Sequence, residues 1–231
     1  MGKFDISCHL CGDKGKDGGC PRCGLTPRKN VAVKSMHLDV PADIIPVSYQ
    51  GKLWEKNEVV EGTPAKTIDF ESNLEKVLNE FISGRVPSFS MFIAAPPKSN
   101  KHWFAYSCMQ TALVQRFSVS PMFSTSDWRR LYKVSQMNPF YKLYDAYKWD
   151  DLIKRDVVFV FVDHSDDRYD TISLLKDIFD ARACFSLPTF VLSDYKLTEL
   201  VPQWGKEMYS MIYNPNPSCD RMRYPVVLQC W

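Results

Sequence analysis

A continuous run of apolar residues, Val157–Val162, constrains the fold of this chain more than any other feature. An acid, Asp163, follows it at once. Runs of this kind are typical of central strands in parallel sheets, because helices cover such strands on both faces and leave no side for polar residues. The run therefore predicts a buried strand inside a layered α/β fold.

Strand and helix signals alternate along the chain from residue 72 onward. Ser72 and Glu75 form a capping-box pattern, and the apolar residues that follow recur at helical spacing. The predicted strands are 88–95, 119–126, 156–163 and 188–194, with short candidates at 209–213 and 224–228, and the predicted helices are 72–82, 102–116, 127–132 and 171–184. This alternation predicts a mostly parallel, doubly wound sheet with flanking helices.

The composition is that of an ordinary globular protein, with 231 residues of which 45% are hydrophobic and 24% charged. The net charge of +2 gives no indication of a tail that binds polyanions in bulk. The sequence shows neither a secretory signal nor an apolar stretch of the roughly 18 residues that a membrane helix needs. We expect a cytoplasmic protein with reduced thiols, since secreted disulfide scaffolds are small and dense in cysteine.

Four of the eight cysteines lie in two close pairs near the start of the sequence. Cys8 and Cys11 form the first pair, and Cys20 and Cys23 form the second after a glycine-rich stretch. Four thiolates are able to surround one Zn²⁺ ion as a tetrahedron, and such closed sites are structural rather than catalytic. Two redox-active pairs and two disulfides are the alternatives. We predict a small zinc knuckle in residues 1–30.

The turn after the strand at 88–95 stands where nucleotide-binding proteins carry a phosphate-binding loop, G-x-x-x-x-G-K-[ST]. Lys101 occupies the lysine position of this motif. Ala95 and Asn100 replace its glycines, and His102 replaces the hydroxyl residue that binds Mg²⁺. Asparagine tolerates a positive φ better than most residues, so the loop is still able to close. The candidate nucleotide-binding residues are Ala95, Lys98, Ser99, Asn100, Lys101 and His102; an ordinary polar turn is the alternative.

Two acids at the ends of predicted strands strengthen the interpretation as a nucleotide site. Asp163 stands where a Walker-B acid would hold Mg²⁺ through water, although His164 follows it in place of a second acid. Asp194 ends the strand at 188–194, where a polar sensor residue would face the γ-phosphate. The alternative is that each acid only keeps a loop in contact with solvent.

In the order of these features, residues 72–203 resemble the AAA+ domain of the bacterial and phage helicase loaders of the DnaC/DnaI/IstB type. The resemblance implies an AAA+ fold in which Asp194 corresponds to the sensor asparagine and Arg182 to an arginine that precedes a family proline. An N-terminal zinc-binding segment is known from the DnaI branch of that family. The resemblance also implies a replicative helicase and single-stranded DNA as partners.

The departures from the family pattern concern catalysis. Both loop glycines, the Mg²⁺ hydroxyl, the second Walker-B acid and the sensor asparagine are replaced. Contacts of this type are each worth several kcal/mol to a reaction. We therefore expect weak or absent ATP hydrolysis, with Asp163, Asp194 and Arg182 as a degenerate catalytic set. Binding of ATP and Mg²⁺ without turnover and no binding at all are both compatible with these changes.

A basic and aromatic stretch, Trp128, Arg129, Arg130 and Lys133, combines side chains that stack on bases with side chains that contact phosphates. The family resemblance favours this stretch as a surface for single-stranded DNA. In the competing interpretation, the core face of a helix is formed by Trp128, Leu131 and Tyr132, and the arginines point to solvent.

These segments divide the chain into a zinc-binding segment at 1–30, a linker at 31–70 and a P-loop-like domain at 71–231. The first functional hypothesis is a helicase loader, or an adaptor like one, that binds a replicative helicase and single-stranded DNA. The second is a catalytically inactive scaffold subunit, similar to the inactive clamp-loader subunits that also combine a degenerate loop with a zinc module. The third is an active ATPase in transposition or recombination. An oligomer is compatible with each.

Overall fold

Five parallel strands form one sheet in the computed structural model, which describes residues 44–56, 65–138, 140, 142–143, 147–162, 168–196 and 225–230. The strands are β1 (Met91–Ala94), β2 (Phe123–Ser124), β3 (Val158–Val162), β4 (Thr189–Ser193) and β5 (Val226–Gln229). Their spatial order is β2-β3-β4-β1-β5, and every neighbouring pair runs parallel. This arrangement confirms the predicted α/β fold with a parallel sheet.

Helices cover both faces of the sheet. They are α1 (Ala65–Ile82), α2 (Lys101–Val114), α3 (Thr125–Met137), α4 (Trp149–Ile153) and α5 (Arg168–Ala183), preceded by a short 3₁₀ turn at Val47–Tyr49. Within β3, Val158 and Val160 pack in the cluster that includes α3, α4 and α5, whereas Phe159 packs in the cluster with α1 and α2. Successive side chains of a strand point to opposite faces. The apolar run is therefore explained by helices on both sides.

Residues 44–56, which fall in the predicted linker, pack against α2. Ile45 and Trp54 are buried in the cluster that α1 and α2 share. The backbone N–H of Trp54 donates to the hydroxyl of Ser107 at 2.7 Å, and the backbone N–H of Gly51 donates to the side-chain oxygen of Gln110 at the same distance. This part of the chain therefore belongs to the packed core. No helix among the described residues combines the length and the apolar character needed to cross a membrane.

The predicted start of α1 at Ser72 is wrong, because the helix begins at Ala65. Ser72 and Glu75 lie in its interior, and the Ser72 hydroxyl accepts a hydrogen bond from the Lys56 ammonium at 3.1 Å. No proline or glycine separates Ala65 from Ser72, so nothing in the sequence stops the helix from extending toward the N-terminus. A serine followed three residues later by an acid also occurs within helices.

The strand predicted at 119–126 is shorter than expected, because the chain turns into α3 after Ser124. Only Phe123 and Ser124 form β2, with an isolated bridge from Val119 to Val157 before it. The Ser124 hydroxyl accepts from the N–H of Asp127 at 3.2 Å, and the Asp127 carboxylate accepts in return from the N–H of Ser124 at 3.3 Å. This reciprocal capping box stops the strand and starts the helix.

Three further elements complete the comparison with the sequence. The helix predicted at 127–132 runs from Thr125 to Met137, and the strand predicted at 224–228 is observed as β5. The short helix α4 follows a stretch for which the sequence showed no regular pattern. The zinc-binding segment at 1–30 and the strand at 209–213 lie outside the described residues.

Candidate functional site

The loop between β1 and α2 lies at the carboxyl edge of the sheet. β1 ends at Ala94 and α2 begins at Lys101. The backbone N–H of Ala95 donates to the carbonyl of Ser193 at 3.1 Å, which ties the loop to the end of β4. Ser193 also lies in register with Ala94 on one side and Val162 on the other. The ends of β1, β3 and β4 therefore meet at one level beside the loop.

Asn100 turns the chain into α2. Its φ of 59° and ψ of 13° are left-handed, a conformation for which tight loops ordinarily use glycine. Asparagine is among the few other residues that adopt this conformation readily. The side chain of Asn100 makes no capping hydrogen bond, while its carbonyl accepts from the N–H of Phe104 at 3.0 Å. Replacement of the second loop glycine by asparagine thus leaves the turn intact.

The Lys101 ammonium is completely buried and bonded to groups of its own chain. It donates to the carbonyls of Ala95 and Pro96, each at 2.9 Å, and forms an ion pair with the carboxylate of Asp194. An ammonium carries three N–H donors, so these three partners use its full capacity. The side chain of Asp194 is only 10% exposed. In this structure the loop lysine therefore serves the loop itself and the end of β4.

Burial shifts the pKa of both residues at the start of α2. It lowers the pKa of Lys101 below the usual 10.5, and the bonded Asp194 opposes that shift. Burial is also the main cause that lowers the pKa of His102 below 6.5; the charge of Lys101 lowers it further, and Asp194 opposes. The imidazole lies 4.9 Å from the ring of Phe161, measured between centroids. An uncharged, partly buried imidazole thus stands where a complete loop carries a metal-binding hydroxyl.

Ser99 and Lys98 complete the loop. The backbone N–H of Ser99 donates to the carbonyl of Pro96 at 3.0 Å and closes a turn. The Ser99 hydroxyl oxygen is buried and has no hydrogen-bond partner among the residues that the structure describes, which is costly for a polar group. Lys98 is exposed. The fold brings the six predicted loop residues together with Asp194, whereas Asp163 lies outside the described residues.

Arg182 lies at the opposite edge of the sheet from the loop. Its guanidinium donates to the carbonyls of Ile153, Arg155, Asp156 and Pro188 and to the Thr189 hydroxyl, over distances of 2.6 to 3.4 Å. These acceptors lie before β3 or at the start of β4, whereas the loop lies beyond the ends of the strands. Arg182 is 0% exposed, so it cannot reach a nucleotide. The predicted catalytic role is therefore wrong, and its role is structural.

Burial lowers the pKa of Arg182 to about 9, while the negative charge of Asp156 opposes that shift. The guanidinium consequently keeps its charge at neutral pH. Because a charged donor makes stronger hydrogen bonds than a neutral one, its bonds to the backbone carbonyls are strong. These bonds connect the end of α5 with the segments that lead into β3 and β4.

The predicted DNA-binding stretch divides between core and surface. Trp128 is 0% exposed and packs edge-on against the rings of Phe123 and Trp149, so it cannot stack on a base. Arg129 is partly buried and donates to the Thr171 hydroxyl at 2.8 Å. The prediction is therefore wrong for Trp128, whose position fits the competing interpretation of a helix core face. Two basic residues of the stretch, Arg130 and Lys133, are exposed on α3.

The four predicted zinc ligands, Cys8, Cys11, Cys20 and Cys23, lie outside the described residues. Within the part of the chain that the structure describes, no group of three or more His, Cys, Asp or Glu side chains is placed to hold a metal ion. The zinc knuckle accordingly stays a prediction.

The sequence did not reveal the pairing between Lys101 and Asp194. It assigned both residues to the site, but as separate contacts to a nucleotide. The order of the strands was the missing information, because β4 lies directly beside β1 and brings the residue after β4 onto the loop. The contacts of Arg182 to the carbonyls of Ile153 and Arg155 were missed for the same reason, since these residues are distant from it in the sequence.

Neither models of protein families nor curated proteins gave a match to this sequence. Several solved structures, in contrast, match the fold of this chain. The DnaC helicase loader superposes with a TM-score of 0.53 at 12% identity, over 80% of this chain and 99% of that chain. A Streptococcus pyogenes serotype M3 protein ascribed to the primosome superposes with a TM-score of 0.51 at 13% identity, over 84% of this chain and 91% of that chain.

The replication initiator DnaA of Aquifex aeolicus, bound to AMPPCP, gives a TM-score of 0.46 at 12% identity, over 75% of this chain and 48% of that chain. The chain thus spans about half the length of the DnaA structures it matches. Identities this low show the fold alone. The protein has an AAA+-like α/β fold, similar to the folds of the DnaC helicase loader and of the Streptococcus pyogenes protein.

Proposed function

We propose that this protein is a DNA-replication adaptor of the helicase-loader kind, which binds a replicative helicase and single-stranded DNA and hydrolyses ATP weakly or not at all. The observation that carries the proposal is the match to the DnaC helicase loader, which extends over 99% of that chain. The match also extends over 80% of this chain. One fold can serve many unrelated functions, so the residues of the site must also support the proposal.

The loop supports the part of the proposal that concerns ATP. A hydrolytic site needs a lysine that reaches the phosphates and a hydroxyl that binds Mg²⁺. Here the ammonium of Lys101 is engaged by two carbonyls and a carboxylate, and His102 offers a neutral imidazole. ATP hydrolysis is tested by measuring phosphate release with and without single-stranded DNA, with Lys101→Ala as the comparison. Rapid turnover that Lys101→Ala abolishes would contradict the proposal.

The N-terminal cysteine pairs are proposed to bind one structural Zn²⁺ and to dock on the helicase. The test mixes the full chain with the purified hexameric replicative helicase of the same replication system and determines the mass of the complex by light scattering. Wild type is expected to bind one zinc per chain and to co-elute with the helicase. The double variant Cys20→Ser/Cys23→Ser is expected to lose both zinc binding and co-elution with the helicase. Cys184→Ser, which changes an exposed cysteine elsewhere, is the matched control. Zinc-free wild type that still co-elutes would contradict the docking role.

The exposed basic residues of α3 are the proposed contacts to single-stranded DNA. Arg130 and Lys133 stand three positions apart on a helix, which places them on one face. Each phosphate contact to a single strand contributes about −0.7 to the slope of log K against log salt. Arg130→Ala/Lys133→Ala is therefore expected to weaken binding of a labelled oligothymidine and to flatten that slope by about 1.4. Lys154→Ala, an exposed lysine beyond α4, is the control. Equal slopes for all three proteins would exclude this face.

A second candidate function is an inactive scaffold subunit in a hetero-oligomer. The bonds of Lys101 to Asp194 and to the Ala95 carbonyl favour this function, because a purely structural subunit does not need a loop that is accessible to phosphate. A stable complex with other AAA+ subunits, in the absence of helicase and DNA, would support this function over the first.

A further inference from the structure

The carboxylate of Asp194 lies against the Lys101 ammonium at the point where a loop of this type binds the negative charge of a phosphate. We infer that Asp194 excludes phosphate from the loop, since its carboxylate takes the place of the anionic ligand as the partner of Lys101. The inference rests on the proposed function only in that both concern the same degenerate loop. It assigns to Asp194 a role as the residue that determines which ligands the loop accepts.

The geometry leaves no vacant donor on the lysine. Lys101 is 0% exposed, and its ammonium is bonded to the carbonyls of Ala95 and Pro96 as well as to Asp194. An incoming phosphate would have to separate the ion pair before it gained any contact. The carboxylate is held by the folded chain, which gives it an advantage in effective concentration over a ligand that arrives from solution.

Charge opposes the ligand as well. A phosphate that reached Lys101 would lie within a few ångströms of the Asp194 carboxylate, and two like charges at that distance repel strongly in a buried setting. An asparagine at this position would be uncharged and would add no such repulsion. The departure at Asp194 therefore does more than remove a contact.

Removal of the Asp194 carboxylate is expected to let the loop bind phosphate. Without its counterion, Lys101 would be a buried and unpaired charge, which is unfavourable until an anion replaces the lost partner. Two further groups of the loop favour such an anion. The Ser99 hydroxyl is buried and lacks a partner within the described part of the chain. The first N–H groups of α2 lack acceptors within the helix.

The experiment compares Asp194→Asn with wild type, using a fluorescent ATP analogue with Mg²⁺ and, separately, sodium tripolyphosphate. Affinity is measured by fluorescence titration for the nucleotide and by thermal shift at constant ionic strength for tripolyphosphate. Asp194→Asn is expected to bind the nucleotide at least ten times more tightly than wild type and to be stabilised by tripolyphosphate, whereas wild type is not. Asp151→Asn, which removes one exposed carboxylate from α4, is the control and should behave as wild type.

The double variant Lys101→Ala/Asp194→Asn identifies the source of the gain. If the gain depends on the freed ammonium, the double variant loses it. A gain that persists in the double variant would assign the effect to general loss of negative charge and would overturn the inference. So would tight nucleotide binding by wild type, or a folded Asp194→Asn protein with no gain.

A second measurement applies if Asp194→Asn fails to fold. Lys98 and Lys101 lie in the same loop, but only Lys98 is exposed. In wild type, an amine-modifying reagent followed by mass spectrometry is expected to label Lys98 readily and Lys101 scarcely, with MgATP changing neither. Labelling of Lys101 at the rate of Lys98, or protection of Lys98 by MgATP, would show that the pair does not close the loop.

The outcome is independent of the helicase experiment. A gain of nucleotide binding in Asp194→Asn, together with no helicase binding by wild type, would refute the proposed function and leave the inference standing. If wild type binds the helicase and Asp194→Asn gains no nucleotide binding, the inference is refuted and the proposed function stands.

Discussion

His102 illustrates how burial next to a charge changes the behaviour of a single residue. Burial and the neighbouring Lys101 together lower its pKa below 6.5, in spite of Asp194. The unfolded chain therefore binds a proton at this residue at a higher pH than the folded chain does. By linkage, stability rises with pH wherever the unfolded state binds more protons. The contribution is complete above pH 6.5 and is lost as the pH falls through the lower pKa of the folded state.

We predict that His102→Gln loses less stability than wild type when the pH falls from 7.5 to 5.5. The glutamine does not titrate, so only the other groups of the protein contribute to its pH dependence. The free energy of unfolding in urea, measured for both proteins at both pH values, isolates the contribution of His102 as a difference of differences. Equal losses in the two proteins would show that His102 titrates normally in the folded state.

Asn100 provides a second test at the scale of one residue. Its φ is 59° and its side chain makes no capping bond, so the backbone conformation alone determines which residues fit. Asn100→Gly is expected to change the free energy of unfolding by only a few tenths of a kcal/mol. Asn100→Ala is expected to cost about 1–2 kcal/mol, the usual penalty of a left-handed residue with a Cβ atom. Equal effects of glycine and alanine in denaturant unfolding would contradict this explanation.

The sequence could predict the residues of the loop but not their partners. Motif spacing located Lys101, and the tolerance of asparagine for positive φ allowed a closed turn at Asn100. The ion pair with Asp194 depends on which strand lies beside β1, and a motif carries no information on that. Trp128 shows the same limit, because the types of residue around it fit a DNA surface and a helix core equally well until its burial is known.

Among the elements, the two serine caps show why helix boundaries are harder to predict than helices. Ser124 caps α3 through a reciprocal bond with Asp127, and the chain before it is extended. Ser72 with Glu75 has an equivalent pattern but lies inside α1. The pattern supplies the hydrogen-bonding groups, whereas the preceding backbone decides whether a helix end exists to be capped. The prediction of α1 followed from apolar residues that recur at helical spacing over several turns.

Arg182 joins elements that the sequence keeps apart, and this leads to the third prediction. Arg182→Ala leaves several buried carbonyls without a donor and is expected to cost about 3–5 kcal/mol, as does breaking other buried charged networks. Arg182→Lys should be intermediate, because an ammonium supplies three donors in place of five. Arg130→Ala, at an exposed position of α3, is the control and should stay within about 0.5 kcal/mol of wild type. Denaturant unfolding measures all three, and a loss for Arg182→Ala as small as that of the control would show that water replaces the guanidinium.

At the scale of the whole molecule, the sheet order β2-β3-β4-β1-β5 determines which residues meet at the candidate site. Alternating strands and helices predicted a parallel sheet, because a right-handed crossover is the usual connection between parallel strands. The alternation does not specify the order, since several orders satisfy the same connections. The observed order puts β1 between β4 and β5, and it is this placement that brings Asp194 onto the loop.

The core includes residues that precede α1 in the chain. Among the residues that the structure describes, the buried apolar residues of the two clusters run from Ile45 to Leu192, and Ile45 and Trp54 belong to the cluster that includes α1 and α2. We predict that a chain of residues 44–231 folds without zinc and melts within about 3 °C of the full chain, the range of a change below 1 kcal/mol in a protein of this size. A chain of residues 65–231 is the control. It lacks a buried tryptophan, which is worth about 3–5 kcal/mol in cores, and should melt much earlier. Circular dichroism and calorimetry measure both, and equal melting of the two shortened chains would show that residues 44–56 are a linker after all.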